Sequence, residues 1–166
     1  MDQPQKEFSK IYDQHLNKIY RFVFLRVDSS ETAQDLTSET FARAWDKFKL
    51  QHLEPKIKNW GAFLYQIARN LVTDFYRERG KIQIISAAYV ADPASDLDLE
   101  KMAVLSSEMR QVKAALSKLG EEQQEVLIWR YLDGLSTKEI AEILDKPEGT
   151  VRVIAHRALE ALRQQL

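Results

Sequence analysis

Residues 135–162 carry Ser136-Thr137-Lys138-Glu139, then Asp145-Lys146-Pro147, then a segment rich in Val, Ile, Ala and Arg. The Ser136 hydroxyl and Glu139 carboxylate can each satisfy the other's backbone N–H, a capping box that predicts a helix through Leu144. Pro147 pushes the residue before it out of helical geometry, so a turn must precede a last helix bearing Val151, Ile154, Ala155, Ala158, Leu159 and Leu162. If Val151 and Ile154 face back onto Ala141, then Glu148, Gly149, Thr150, Arg152, Val153, His156 and Arg157 point outward. Two short helices joined by a tight turn, the second with a polar start, describe a helix-turn-helix. Such a helix fits the major groove of duplex DNA, where its first turns reach base edges and its amide end approaches phosphate. Arg152 is the best placed base or phosphate contact. The competing reading is a hairpin that packs on protein, because only Arg152, Arg157 and Arg163 stand against Glu148 and Glu160.

A second candidate surface lies upstream. Tyr65, Arg69, Thr73 and Arg77 fall four apart, flanked by Gln66, Asn70, Tyr76 and Arg79. That spacing predicts rings alternating with guanidinium groups opposite Leu64, Ile67 and Leu71. Rings stack on exposed bases and Arg neutralises phosphate, the combination that single-strand binding needs; a plain solvated face is the alternative. Asp35, Glu39, Arg43, Asp46 and Lys47 share a strip with Leu36, Thr40 and Trp45, suited to docking a partner helix. Catalytic groupings are missing. His15, His52 and His156 are dispersed, and no phosphate loop, nucleophile elbow or carboxylate pair occurs, so neither an enzyme nor a cofactor is expected.

The elements that must position these residues are helical. Phe8, Ile11, Tyr12, Leu16, Ile19, Tyr20, Val23 and Val27 recur at steps of three and four and predict a helix over 6–27. Ser29 and Ser30 offer caps to a second helix ending near Phe48, and Asn59 to a third that runs until Gly80. Leu99, Met102, Leu105, Met109, Val112, Leu116 and Leu119 form a further stripe, stopped by Gly120 as a left-handed cap. A short helix over 121–132 then ends at Asp133-Gly134. No strand alternation competes, so an all-α fold is expected.

The chain's 166 residues, 45% hydrophobic and 30% charged, suit one ordinary domain or two small ones. Its net charge of −1 divides unevenly, with +3 over 1–85, −4 over 86–109 and 0 over 110–166. The acidic middle holds Pro93 and no sustained helical period, which reads as a linker. No Cys is present, and neither a signal core nor a membrane-length apolar run appears, so a soluble cytoplasmic protein is expected.

Four segments in order resemble the extracytoplasmic-function group of bacterial sigma factors, of the sigma-70 type. They are Ile19-Tyr20-Arg21-Phe22; the stretch from Ala33-Gln34-Asp35-Leu36 to Phe41 with Ala44-Trp45; Leu64-Tyr65-Gln66-Ile67-Ala68-Arg69-Asn70 with Asp74 and Arg77; and Gly149-Thr150-Val151-Arg152 with His156-Arg157-Ala158-Leu159. The resemblance implies two small helical domains, region two over 6–80 and region four over 110–166, joined by a flexible acidic linker over 81–109. It implies that Asp35, Leu36, Glu39, Phe41, Arg43 and Trp45 dock on the clamp helices of the largest subunit of core RNA polymerase. The minus-ten element would fall to Lys56, Lys58, Asn59 and Trp60 with Tyr65, Arg69, Asn70, Thr73, Arg77 and Arg79, a flipped base offsetting the cost of melting. The minus-thirty-five duplex would be read by Ser136, Thr137 and Lys138 with Glu148, Gly149, Thr150, Arg152, Val153, His156 and Arg157. Promoter DNA in duplex and single-stranded form, the flap of the second-largest polymerase subunit and an anti-sigma factor are the other implied partners. Asp145 stands where the family's turn usually has Gly, and the neutral second block implies weak duplex binding without polymerase. A stand-alone helix-turn-helix regulator, or a sigma-like adaptor that brings polymerase to another DNA-targeting complex, are the rival readings.

Overall fold

The computed structural model describes residues 2–51, 56–82 and 106–166, and these form seven α-helices, one π-helical turn and no strand. The acidic stretch 86–95, the Leu99, Met102 and Leu105 part of the predicted stripe, and His52 lie outside the described residues. The chain divides into two compact units, Met1–Pro93 and Ala94–Leu166.

In the first unit, α1 spans Gln3–Arg26, α2 spans Ser30–Lys49 and α3 spans Trp60–Ile82. Helix α1 starts earlier than periodicity predicts, because Asp2 accepts from the Gln5 amide at 3.0 Å while the Gln5 side chain accepts from the Asp2 amide at 3.2 Å. Those capping residues carry no apolar signal. Ser29 Oγ accepts from the Thr32 amide at 3.1 Å and Asn59 Oδ1 from the Ala62 amide at 3.0 Å, so the polar residues expected to cap α2 and α3 do so. The three helices bury Ile19, Phe22, Val23, Ala33, Ala44, Leu64, Ala68 and Val72 between them. Residues 22–27 are buried without a break, including Arg26, so the end of α1 is covered on all sides rather than on one stripe. Phe8, Trp45, Phe48, Trp60 and Phe63 form a chain of ring contacts with centroids 5.2–6.4 Å apart, joining the start of α1, the end of α2 and the start of α3.

In the second unit, α4 spans Ser106–Ser117, α5 Glu121–Leu127, a π-helical turn Ile128–Leu132, α6 Thr137–Leu144 and α7 Glu148–Gln165. The predicted role of Gly120 is corrected: its φ of −63° is extended rather than left-handed, and it stands at the start of α5. Helix α4 has already ended at Ser117, and the Gln124 side chain donates to the Leu119 carbonyl at 2.9 Å. The predicted helix over 121–132 widens into the π turn, where the Asp133 amide reaches back five residues to the Ile128 carbonyl at 3.0 Å. Gly134, with φ 69°, then reverses the chain, and the Leu135 amide closes on the Trp129 carbonyl at 2.8 Å. Trp129, Ile128, Val126, Leu116, Ile140, Val151 and Ala158 are the centre of this core.

Candidate nucleic-acid interface

Helix α6 begins at the predicted capping box, with Ser136 Oγ accepting from the Glu139 amide at 3.1 Å and Glu139 Oε1 from the Ser136 amide at 3.2 Å. It ends at Asp145, whose φ of 53° and ψ of 51° are left-handed. The turn demands this conformation whether or not the residue is Gly; Asp tolerates it better than most side chains. The Lys146 amide donates to the Ala141 carbonyl at 3.1 Å. The Lys146 ammonium lies 2.8 Å from both carboxylate oxygens of Glu122, tying the turn to the first residues of α5. That tie spans 24 residues and left no local mark in the sequence.

Helix α7 buries Val151 and Ala158 and exposes Glu148, Gly149, Thr150, Arg152, Val153, His156 and Arg157. Ser136 and Lys138 are exposed as well, and Thr137 is half-buried. These ten residues therefore lie on helix starts and an outward helix face that the packing leaves open. Val153 is 48% exposed, an apolar surface in the middle of that face. A methyl group added at Gly149 would meet no atom within 4 Å, so packing within this unit does not require glycine there.

The α3 face differs from its prediction. Tyr65 is only 2% exposed, its ring edge-on to Phe22 with centroids 5.6 Å apart, so it is a core residue. The physical reason is drift: residues four apart rotate about 40° per step on a 3.6-residue helix, so a row starting at the core edge at Tyr65 reaches open solvent only at Arg77. Arg69 and Thr73 are half-buried, Asn70 and Arg77 exposed, and Thr73 Oγ1 donates to the Arg69 carbonyl at 3.0 Å. Arg79 is turned inward to an ion pair with Asp28, its guanidinium 5.8 Å from the Phe75 ring centroid. Ahead of the helix, Lys56, Lys58 and Asn59 are exposed, and Trp60 is half-buried in the ring cluster.

On α2, Asp35, Glu39 and Arg43 are exposed, with Glu39 and Arg43 paired at 2.7 Å, and Leu36 and Trp45 are half-buried. Phe41 is buried edge-on to Tyr12 at 4.8 Å, against the docking role that the resemblance implied for it, and Thr40 is fully buried, which corrects its predicted place on the strip. Two residues after Glu39, Phe41 is turned about 200° around the axis, toward α1.

His15 packs on Gly61, where an added Cβ would come within 3.2 Å of the imidazole Cε1. Burial first, and the Lys18 charge second, lower its pKa below the usual 6.5. Burial alone lowers that of Lys113 to about 8. Among the described residues no three His, Asp or Glu side chains converge as a metal site would need. No described helix is long and apolar enough to cross a membrane.

Residues 11–82 match the family described as Sigma-70 region 2, and residues 109–162 that described as Sigma-70, region 4. The extracytoplasmic-function (ECF) RNA polymerase sigma factor SigW of Bacillus subtilis is 32% identical over 171 residues, covering 98% of this chain and 90% of SigW. The chain belongs to the ECF sigma factors. BldN of Streptomyces coelicolor, another ECF RNA polymerase sigma factor, is also 32% identical, over 160 residues; this sigma factor spans 96% of its own length there and 60% of BldN. The fold is shared with the sigma factor RpoE of Bartonella quintana, solved with the anti-sigma factor NepR, at a TM-score of 0.75 and 24% identity over 96% of each chain. The resemblance seen in the sequence is thus a family membership, and the all-α architecture follows it.

Proposed function

We propose that this sigma factor joins core RNA polymerase and opens promoters through two separate grips. The observation that carries the reading is the presence, in one chain, of a region-two match over 11–82 and a region-four match over 109–162. A lone helix-turn-helix regulator would leave the first of these idle. On this reading the α2 strip of Asp35, Leu36, Glu39, Arg43 and Trp45 meets the polymerase clamp helices, with Phe41 holding the strip on α1 from beneath. Arg69, Asn70, Thr73 and Arg77, with Lys56, Lys58, Asn59 and Trp60, take the minus-ten strand, Arg supplying phosphate neutralisation and Trp60 a ring. The outward face of α7 reads the minus-thirty-five duplex, led by Arg152, with Ser136, Thr137 and Lys138 at the start of α6 facing backbone phosphate. Bond-making chemistry belongs to polymerase, so the protein acts in the cytoplasm as an initiation factor and not as an enzyme. An anti-sigma factor is a proposed partner, as NepR is for RpoE of Bartonella quintana.

Reconstitution with core RNA polymerase on a library of promoter fragments tests this, reading start sites and permanganate-reactive thymines together. Arg69→Ala should lower opening more than binding, and Arg152→Ala should alter minus-thirty-five use. Tight binding of intact duplex without polymerase would favour a stand-alone regulator, and association with polymerase without transcripts would favour an adaptor. Either result would overturn the proposal.

A further inference from the structure

Arg79 and Tyr76 lie about one turn apart near the end of α3, and both reach the corner between α1 and α2. Arg79 Nη1 pairs with Asp28 Oδ2, and the Tyr76 hydroxyl donates to the carbonyl of Arg26. The Phe75 ring lies under the Arg79 guanidinium and meets Tyr76 edge to face at 5.4 Å. Asp28 directly precedes Ser29, the cap of α2, in a stretch where a helix's positive end favours negative charge. The Arg79 and Asp28 side chains are 28% and 33% exposed, against 68% and 56% for the neighbouring Arg77 and Asp74, 3.6 Å apart. The shielded pair keeps more of its attraction than the open one, which water and salt screen.

The geometry points to Asp28 as a positioning residue for promoter opening. By holding Arg79, while the Arg26 carbonyl holds Tyr76, the corner fixes the far end of α3 so that Arg69, Thr73 and Arg77 meet the displaced strand as one surface. The inference rests on the reading of α3 as the minus-ten helix, and it moves Arg79 from the DNA contacts to the protein's own α1–α2 corner. Buried Leu64, Ala68 and Val72 hold α3 through its middle, and beyond Val72 its last ten residues run about 15 Å, so a bend of about 10° there displaces the final turn by about 3 Å. Contacts that depend on hydrogen-bond geometry do not survive displacements of that size. Asn59, the ring cluster and the shared core anchor α3 as far as Val72. Asp28 and Arg26 supply the second anchor.

The test uses the full chain with core polymerase. Asp28→Asn and Arg79→Gln should each lower opening, relative to binding, by about tenfold; the double variant should be no worse than either alone, and Arg79→Lys should recover part of the loss. Arg79→Gln should leave the dependence of DNA affinity on salt unchanged, because a guanidinium already paired with Asp28 neutralises no phosphate. In the free chain, both variants should speed hydrogen exchange in the second half of α3. The proposal is overturned if Asp28→Asn leaves opening unchanged or raises it while Arg79→Gln lowers the salt slope by about one, the signature of a direct phosphate contact. Unaltered exchange in Asp28→Asn would overturn it too. If the unaltered chain opens no promoter with polymerase, the reading of α3 fails, and exchange in the free chain still decides whether the pair holds the helix.

Discussion

The two units reach a helical fold by different means. The first has long helices whose decisive contacts join distant parts of the chain: Phe8 to Trp45 at 5.2 Å, Phe22 to Tyr65 at 5.6 Å, Asp28 to Arg79. The second uses three short helices before its one long one, punctuated by local devices, among them the Ser136–Glu139 box, the left-handed Asp145 and the Gly134 reversal. The difference teaches where a charged or aromatic side chain can be read as a contact for a partner. Where local signals set the helices, as in α6 and α7, the outward residues stay outward. Where tertiary contacts set them, as in α3, two of the residues that looked like surface, Tyr65 and Arg79, are drawn into the protein's own structure.

Core truncations test the comparison most severely. Phe22→Ala and Trp129→Ala should each cost about 3–5 kcal/mol in their own unit, since both side chains are fully buried. Hydrogen exchange resolved by segment should show the loss confined to one unit each; a loss spread over both would erase the distinction. Next comes the capping box: Ser136→Ala should destabilise the second unit by about 1 kcal/mol, read from its urea midpoint, with no change in the first.

Glycine changes sharpen the account of the helix-turn-helix. Asp145→Gly relieves a left-handed side chain and should stabilise the second unit by about 0.5–1 kcal/mol. Gly149→Ala, with open space around its Cβ, should raise stability by up to about 1 kcal/mol and yet weaken minus-thirty-five binding if the bare backbone there approaches phosphate. Stability and DNA affinity moving together at Gly149 would remove that role.

The remaining tests are in pH. Folded His15 holds its proton more weakly than the unfolded chain does, so the first unit should lose stability as pH falls through 6.5, and His15→Gln should flatten the slope. In the second unit, between pH about 8 and 10.5 the unfolded chain keeps the Lys113 proton that the folded one has released. Stability should therefore rise with pH across that window, and Lys113→Met should abolish the rise. Urea midpoints measured across both ranges check the two signs.

Periodicity alone determined that the chain is helical, and polar caps at Ser29, Asn59 and Ser136 determined where three helices start, because an apolar stripe and a cap are properties of neighbouring residues. The order of motifs determined the family, and the outward residues of α7 could be named once Val151 and Ile154 were placed against Ala141. Only tertiary structure decided that Tyr65 and Arg79 turn inward, that the end of α1 is covered all round, and that Lys146 is tied to Glu122. A helix seen alone fixes angles between its own side chains and nothing about what lies on each side; which face meets solvent is settled by neighbours that come from far along the chain.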